Sequence, residues 1–230
     1  MPSASLETLL ERNRRHEEKL PEGHFQGVRA GQEPAAVAVC CSDSRVSQEG
    51  MWSVEEPGWL FTPSTIGNLV WDRCDGELAV DGNVLYPIRH TETRTTVVVG
   101  HTGCGAITAA YRVVRGESGE EPPGIARRVD LLVPTVERAL EEGVVDPELP
   151  ESEAVNRLVE YHVREAVAFL GDAPEVPDEE SIYGFVYDFQ EVYGDVPGRA
   201  YLVSANGETD GETLRDLVPE GFEGWVGTLL

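Results

Sequence analysis

Two short segments of the chain carry residue types that bind transition metals. Cys41 begins the sequence Cys-Ser-Asp-Ser-Arg, and His101 and Cys104 lie in His-Thr-Gly-Cys-Gly some 60 positions later. Zinc accepts thiolate and imidazole ligands. Catalytic zinc sites have three protein ligands and one open position, whereas structural sites close the tetrahedron with a fourth protein ligand. The three residues therefore predict a zinc site of the catalytic type.

A buried strand is predicted immediately before each of these segments. Residues 35–40 (AAVAVC) and 96–100 (TVVVG) are short, continuously apolar runs, which are typical of strands covered on both faces in a parallel sheet. The carboxyl ends of such strands meet at one edge of the sheet, where open α/β folds place their sites. We therefore expect Cys41 to approach from one strand and the HxxC pair from the next.

Two further cysteines leave a structural alternative open. Cys40 or Cys74 could complete the ligand set into a closed, purely structural zinc site. Cys40 adjoins Cys41 in a strand, where successive side chains point to opposite faces, so we do not expect both to reach one metal. We expect Cys74 to be a small buried hydrophobe or to lie on a partly covered face.

The order and separation of the two segments resemble the β-class carbonic anhydrases. The resemblance spans roughly residues 30–205 and includes Gly67 and Asn68, the LYPIRH sequence at 85–90 and a long helix near Asn156. It implies an α/β fold in which a mostly parallel β-sheet is flanked by helices, with an N-terminal helical arm that wraps a partner subunit. A homodimer or higher homo-oligomer is the assembly that it implies.

The resemblance also implies a role for each site residue. Cys41, His101 and Cys104 would hold zinc, and Asp43 and Arg45 would form a catalytic dyad beside it. Two thiolates formally neutralise Zn²⁺, so its water is harder to ionise and a nearby carboxylate must help to orient and deprotonate it. Arg45 would hold Asp43 bidentately, and its release would let Asp43 occupy the fourth metal position. The implied reaction is reversible hydration of CO2 to bicarbonate and a proton by zinc-bound hydroxide.

One position departs from the family pattern. Where family members usually have an arginine, the chain has Ser64, and Ala38 stands where members with a second, inhibitory bicarbonate pocket have a tryptophan. We therefore expect this chain to lack that pocket. The departure keeps two other hypotheses open: hydrolysis of carbonyl sulfide or carbon disulfide on the same zinc site, and a non-catalytic, zinc-stabilised protein.

The rest of the chain alternates strands with helices. We expect one domain over residues 1–230, with the N-terminal helical arm at 1–25 and no internal repeat. Apolar residues at helical spacing predict helices at 105–114, 124–142 and 151–170, and shorter apolar runs predict strands at 59–62 and 199–203. The remaining histidines lack ligand spacing and are expected to be solvated or to pack: His16, His24, His90 and His162.

The composition is strongly acidic. Forty-two acidic residues against 18 basic ones give a formal net charge of −24, and such a surface repels phosphate backbones and anionic lipid heads, which argues against nucleic-acid and membrane partners. All the basic residues except Lys19 are arginine. This composition favours a halophilic protein, in which salt screens the repulsion between carboxylates, over an ordinary acidic cytosolic protein.

The sequence also predicts a cytoplasmic location. The longest apolar run, residues 35–41, is seven residues long, against the roughly 20 that span a bilayer. Charges interrupt the N-terminal amphipathic segment, unlike the apolar region of a signal peptide. The few, unevenly spaced cysteines favour a reducing compartment.

Overall fold

A six-stranded sheet in which parallel pairing predominates organises the molecule. The computed structural model describes residues 4–117 and 119–230. The strands are β1 (Ala36–Cys41), β2 (Leu60–Phe61), β3 (Ser64–Thr65), β4 (Trp71–Cys74), β5 (Glu77–Val80), β6 (Thr95–His101), β7 (Ser181–Asp188) and β8 (Arg199–Ala205). The main sheet has the order β2-β1-β6-β7-β8, with β3 pairing further along β1. All pairs in it are parallel except β7 with β8, and β4 and β5 form a separate antiparallel hairpin. The predicted fold class is confirmed.

Helices flank this sheet. They are α1 (Leu6–Glu17), α2 (Gln48–Met51), α3 (Gly82–His90), α4 (Gly105–Val114), α5 (Pro123–Asp130), α6 (Val133–Glu141), α7 (Glu151–Asp172) and α8 (Gly211–Leu217). The longest, α7, packs across β6 and β7. A Cβ added at Gly100 or Gly184 would lie 2.7 Å from a methyl group of Val163, so glycines in both strands allow the helix to approach the sheet closely.

One predicted helix is wrong in its extent. The segment 124–142 forms two helices, α5 and α6, rather than one. Pro134 lies in the first turn of α6, and a proline there lacks the N–H that would continue a hydrogen-bonded helix and clashes with the carbonyl group four residues earlier. The chain therefore turns at Leu131 and Leu132, whose side chains are buried in the core.

The two ends of the chain differ in how they pack. Helix α1 begins after Ser5, whose hydroxyl accepts a hydrogen bond from the Thr8 N–H, and it leaves Leu6, Leu9 and Leu10 exposed. The C-terminal segment docks on the body, where Val226 bridges to Leu202 of β8. Within the part of the chain that the structure describes, no helix combines the length and apolar character needed to cross a membrane.

Candidate metal centre

The three predicted metal ligands meet at the carboxyl edge of the sheet. Cys41 is the last residue of β1, and His101 is the last residue of the neighbouring parallel strand β6. Cys104 follows after a tight turn and is the N-cap residue of α4. Gly103 lies in that turn with φ of +63°, a left-handed conformation that favours glycine. The predicted convergence of the two strand ends is confirmed.

The geometry of these side chains fits a metal ion. Their ligand atoms all lie within 4.8 Å of one another and all three residues are buried. His101 Nδ1 donates a hydrogen bond to the Thr102 carbonyl oxygen over 3.0 Å, which leaves the lone pair on Nε2. That buried Nε2 has no hydrogen-bond partner among the described residues. An orphaned imidazole nitrogen facing two thiols is the donor set that zinc prefers.

The two thiols already interact with each other. Cys41 Sγ and Cys104 Sγ are 3.9 Å apart. The hydrogen bond from Cys104 lowers the pKa of Cys41 below its usual range, with smaller contributions from His101 and the Gly67 backbone. The same contact, together with burial, raises the pKa of Cys104. Zinc binds cysteine as the thiolate, so metal binding at this pair would release protons.

Asp43 and Arg45 form a rigid pair beside these ligands. The Arg45 guanidinium donates to both Asp43 oxygens, from Nε to Oδ1 over 2.9 Å and from a terminal nitrogen to Oδ2 over 2.7 Å. The Arg45 backbone N–H also donates to Oδ1. These bonds hold the pKa of Asp43 well below its usual range. Asp43 Oδ2 lies 3.7 Å from His101 Nε2, so a fixed negative charge faces the nitrogen that is available for a metal.

The comparison with known proteins identifies the family. A family model described as carbonic anhydrase matches residues 36–195. A β-carbonic anhydrase from Coccomyxa, solved in complex with acetazolamide, superposes with a TM-score of 0.64 and 25% identity, over 81% of this chain and 83% of that one. The chain belongs to the β-class carbonic anhydrases.

Other members of this family resemble the chain to a similar degree. Carbonic anhydrase 2 of Mycobacterium tuberculosis is 30% identical over 176 residues, which cover 74% of this chain and 77% of that protein. One of two tetrameric β-carbonic anhydrases of Sordaria macrospora has a TM-score of 0.64 over 79% of this chain and 90% of that chain. At 20% identity, the second comparison supports the fold.

The remaining cysteines lie away from this β-carbonic anhydrase centre. Cys40 packs against the opposite face of the sheet from Cys41, as the strand alternation predicted. Cys74, at the end of β4, is exposed, so the expectation of a buried or partly covered position is wrong. Its place in a two-stranded hairpin outside the main sheet explains its exposure. The structure therefore brings neither cysteine to the three ligands.

Sequence reasoning gave no site role to three residues that lie near the centre. The ring of Phe189 stacks on His101 with centroids 5.7 Å apart and lies 4.6 Å beneath the Arg45 guanidinium. Asn156 and His162 of α7 contact the backbone beside the ligands, at Gly103 and Gly67. Asn156 stood out only as a point of family resemblance, and we expected His162 simply to be solvated or to pack. Their contacts join positions 53 and 95 residues apart. Contacts over such separations cannot be predicted from the local spacing of residues.

Proposed function

We propose that this chain is a zinc-dependent carbonic anhydrase that interconverts CO2 and water with bicarbonate and a proton. The observation that carries the proposal is the placement of the Asp43 carboxylate, held by Arg45, 3.7 Å from the unpartnered Nε2 of His101. A structural site needs no oriented carboxylate beside its ligands. Membership of the β-class carbonic anhydrase family supports the same reaction.

In this proposal each site residue has a separate task. Cys41, His101 and Cys104 would hold zinc, which as a Lewis acid makes water nucleophilic near neutral pH. Asp43 accepts a hydrogen bond from the attacking water and orients it toward CO2. The hydrogen bonds from Arg45 hold the pKa of Asp43 well below its usual range, so the carboxylate is ionised at neutral pH and able to accept this hydrogen bond, and the proton of the reaction is released to the buffer. Arg45 keeps that carboxylate ionised and in place.

We also propose that the protein works as a homo-oligomer in the cytoplasm. The exposed leucines of α1, Leu6, Leu9 and Leu10, form an apolar stripe that a second copy of the chain could cover. The Sordaria macrospora enzymes are described as tetrameric. The four cysteines of the chain are free thiols, which fits a reducing compartment.

Stopped-flow measurement of CO2 hydration by the zinc-loaded protein in molar KCl tests the proposed activity. We expect fast turnover that removal of zinc abolishes and that Asp43→Ala reduces by about 10²- to 10⁴-fold, the range typical of a positioned acid–base group. Asp216→Ala is the matched control, since Asp216 is exposed on α8, and it should retain full activity.

Other outcomes of this test would contradict carbonic anhydrase activity and indicate another function. A folded, zinc-loaded protein that does not hydrate CO2 would contradict the proposal. Release of sulfide from carbonyl sulfide or carbon disulfide would then indicate a hydrolase using the same site. Loss of folding on zinc removal, without turnover of any of these gases, would indicate a structural zinc protein.

A further inference from the structure

Asn156 of α7 is linked to the metal ligand His101 through a single peptide group. Asn156 Oδ1 accepts a hydrogen bond from the Gly103 backbone N–H over 2.8 Å. The carbonyl group of the same peptide belongs to Thr102, and it accepts the hydrogen bond from His101 Nδ1 over 3.0 Å. The side-chain amide, the peptide and the imidazole thus form one continuous chain of hydrogen bonds.

This chain of hydrogen bonds favours the tautomer of His101 in which Nδ1 carries the proton. When Nδ1 carries the proton, Nε2 presents its lone pair to Cys41 and Cys104. Hydrogen bonds in series polarise one another, so an acceptor on the peptide N–H makes the carbonyl at its other end a better acceptor. A bond from Asn156 therefore favours the Nδ1–H tautomer of His101, which is the one that can bind a metal through Nε2.

Contacts at both backbone polar groups of Gly103 hold the turn that contains this peptide. Gly103 has a left-handed φ of +63°, and a Cβ added there would lie 2.7 Å from the Gln190 side chain. The Gly103 carbonyl oxygen accepts a hydrogen bond from Arg45 over 3.1 Å. Asn156 is itself buried, on the helix that packs against β6 and β7. Asn156 thus holds the turn at the Gly103 N–H, and Arg45 holds it at the Gly103 carbonyl oxygen.

We propose that Asn156 is a positioning residue for His101, acting through the Thr102–Gly103 peptide to fix the tautomer and orientation of the imidazole. The inference deepens the proposed function and rests on it for the identity of the metal. It assigns the helix α7 a part in metal binding, in addition to its packing against the sheet. Groups whose hydrogen bonds orient a metal ligand typically contribute about 10- to 100-fold to metal affinity.

Two substitutions at position 156 and one control on the same helix test this role. Asn156→Leu removes the acceptor while keeping the size of the side chain, and Asn156→Asp restores an acceptor at the same reach. Leu170→Ala is the control, because Leu170 is buried in α7 and its truncation should lower stability without touching the turn. Should Asn156→Leu fail to fold, Asn156→Ala removes the same acceptor with a smaller side chain.

Three readouts that do not depend on turnover are measured for each variant. The first is the zinc dissociation constant, by competition with a chromophoric chelator in high salt. The second is the absorption spectrum of the cobalt(II)-substituted protein, which reports the ligand field and the thiolate bonds. The third is the tautomer of His101 in the metal-free protein, from nitrogen-15 NMR of the imidazole.

We expect Asn156→Leu to weaken zinc binding by about 10- to 100-fold, to alter the cobalt spectrum and to mix the His101 tautomers. Asn156→Asp keeps the acceptor but adds a buried charge, so it should retain the His101 tautomer of the parent protein, and Leu170→Ala should differ only in stability. Unchanged zinc affinity and an unchanged tautomer in a folded Asn156→Leu variant would overturn the inference. A parent protein that shows the predicted tautomer and binds zinc, yet fails to hydrate CO2, would contradict the proposed function alone.

Discussion

At the scale of single residues, the two-residue spacing of Asp43 and Arg45 lets the guanidinium hold the carboxylate in a fixed position. The guanidinium reaches back to the carboxylate of its own segment and also donates to the Gly103 carbonyl of the other ligand segment. Phe189 lies under the guanidinium and supplies a cation–π contact that restrains it. One arginine therefore holds the carboxylate and ties together the two segments that carry the ligands.

His162 gives a pH dependence that can be measured directly. Its Nε2 donates to the Gly67 carbonyl over 2.9 Å, and burial lowers its pKa from the usual 6.5 to about 4, against smaller opposing effects of that bond and of Cys41. Between about pH 6.5 and 4, His162 is therefore protonated in the unfolded chain but neutral in the folded protein. The contribution of His162 to the free energy of unfolding is therefore fully present above pH 6.5 and is lost as the pH is lowered from 6.5 to about 4.

We expect metal-free protein to lose about 2 kcal/mol of unfolding free energy from this group between pH 7.5 and 5. The measurement is urea unfolding at both pH values for the parent and for His162→Gln, which cannot titrate there but can still donate to Gly67. The difference between the two proteins isolates the histidine from other titrating groups. An equal loss of stability in both would show that His162 is not the group responsible.

Sequence reasoning predicted the cluster of candidate ligands because metal binding restricts residue type and spacing together. Cys41 and His101 end β1 and β6, Cys104 follows β6 after a tight turn, and a parallel sheet brings such strand ends to one edge. The positions of Asn156 and Phe189 depend instead on how a distant helix and loop pack against that edge. Cys74 was misplaced for a related reason, since the residue type of a lone cysteine does not reveal that it ends a strand of an exposed hairpin outside the main sheet.

At the scale of elements, α7 carries a buried carboxylate that joins three parts of the chain. Glu160 is fully buried. Its Oε2 accepts from the Tyr193 hydroxyl and the Leu229 N–H, both over 2.7 Å, and Oε1 accepts from Arg164 and Thr228. The helix thereby fixes the loop after β7 and the C-terminal segment together. A buried carboxylate is stable only while such partners remain.

Tyr193→Phe should therefore destabilise the protein by about 1.5–3 kcal/mol, the usual contribution of a hydrogen bond to a charged group. The ring would keep its stacking on Tyr201, 5.1 Å away between centroids, so the loss is specific to the hydroxyl. Urea unfolding at neutral pH provides the measurement. Tyr86→Phe, at an exposed tyrosine, should change stability very little. Equal effects at the two positions would contradict a special role for Glu160.

The elements themselves were predicted well where the pattern was long and regular. The predicted helix at 151–170 agrees with α7 (Glu151–Asp172), and the strands at 35–40 and 96–100 agree with β1 and β6 to within a residue or two. The helix predicted at 124–142 failed because its apolar spacing continues across Pro134, while the backbone cannot. Periodicity reports which face is apolar, whereas the backbone geometry decides where an element ends.

At the scale of the whole molecule, the net charge of −24 should make the folded protein more stable as the salt concentration rises. Many of the ion pairs are exposed, such as Arg112–Glu151 and Arg115–Glu117, and contribute little individually. Repulsion among the excess carboxylates therefore dominates the surface electrostatics. Because the screening length falls from about 10 Å at 0.1 M salt to about 3 Å at 1 M, added salt relieves that repulsion in the folded state.

We accordingly expect the free energy of unfolding to rise as KCl is raised from about 0.1 to 1 M, a range over which screening becomes short. Urea is the suitable denaturant, since it is uncharged and leaves the ionic strength unchanged. A variant with Glu120, Glu121 and Glu179 changed to Gln, all exposed positions, carries less excess charge and should show a shallower rise. Sucrose, which favours compact states without screening charge, should stabilise both proteins equally. A stability that is flat or falls with KCl would indicate an ordinary acidic protein, in which the exposed ion pairs outweigh the repulsion.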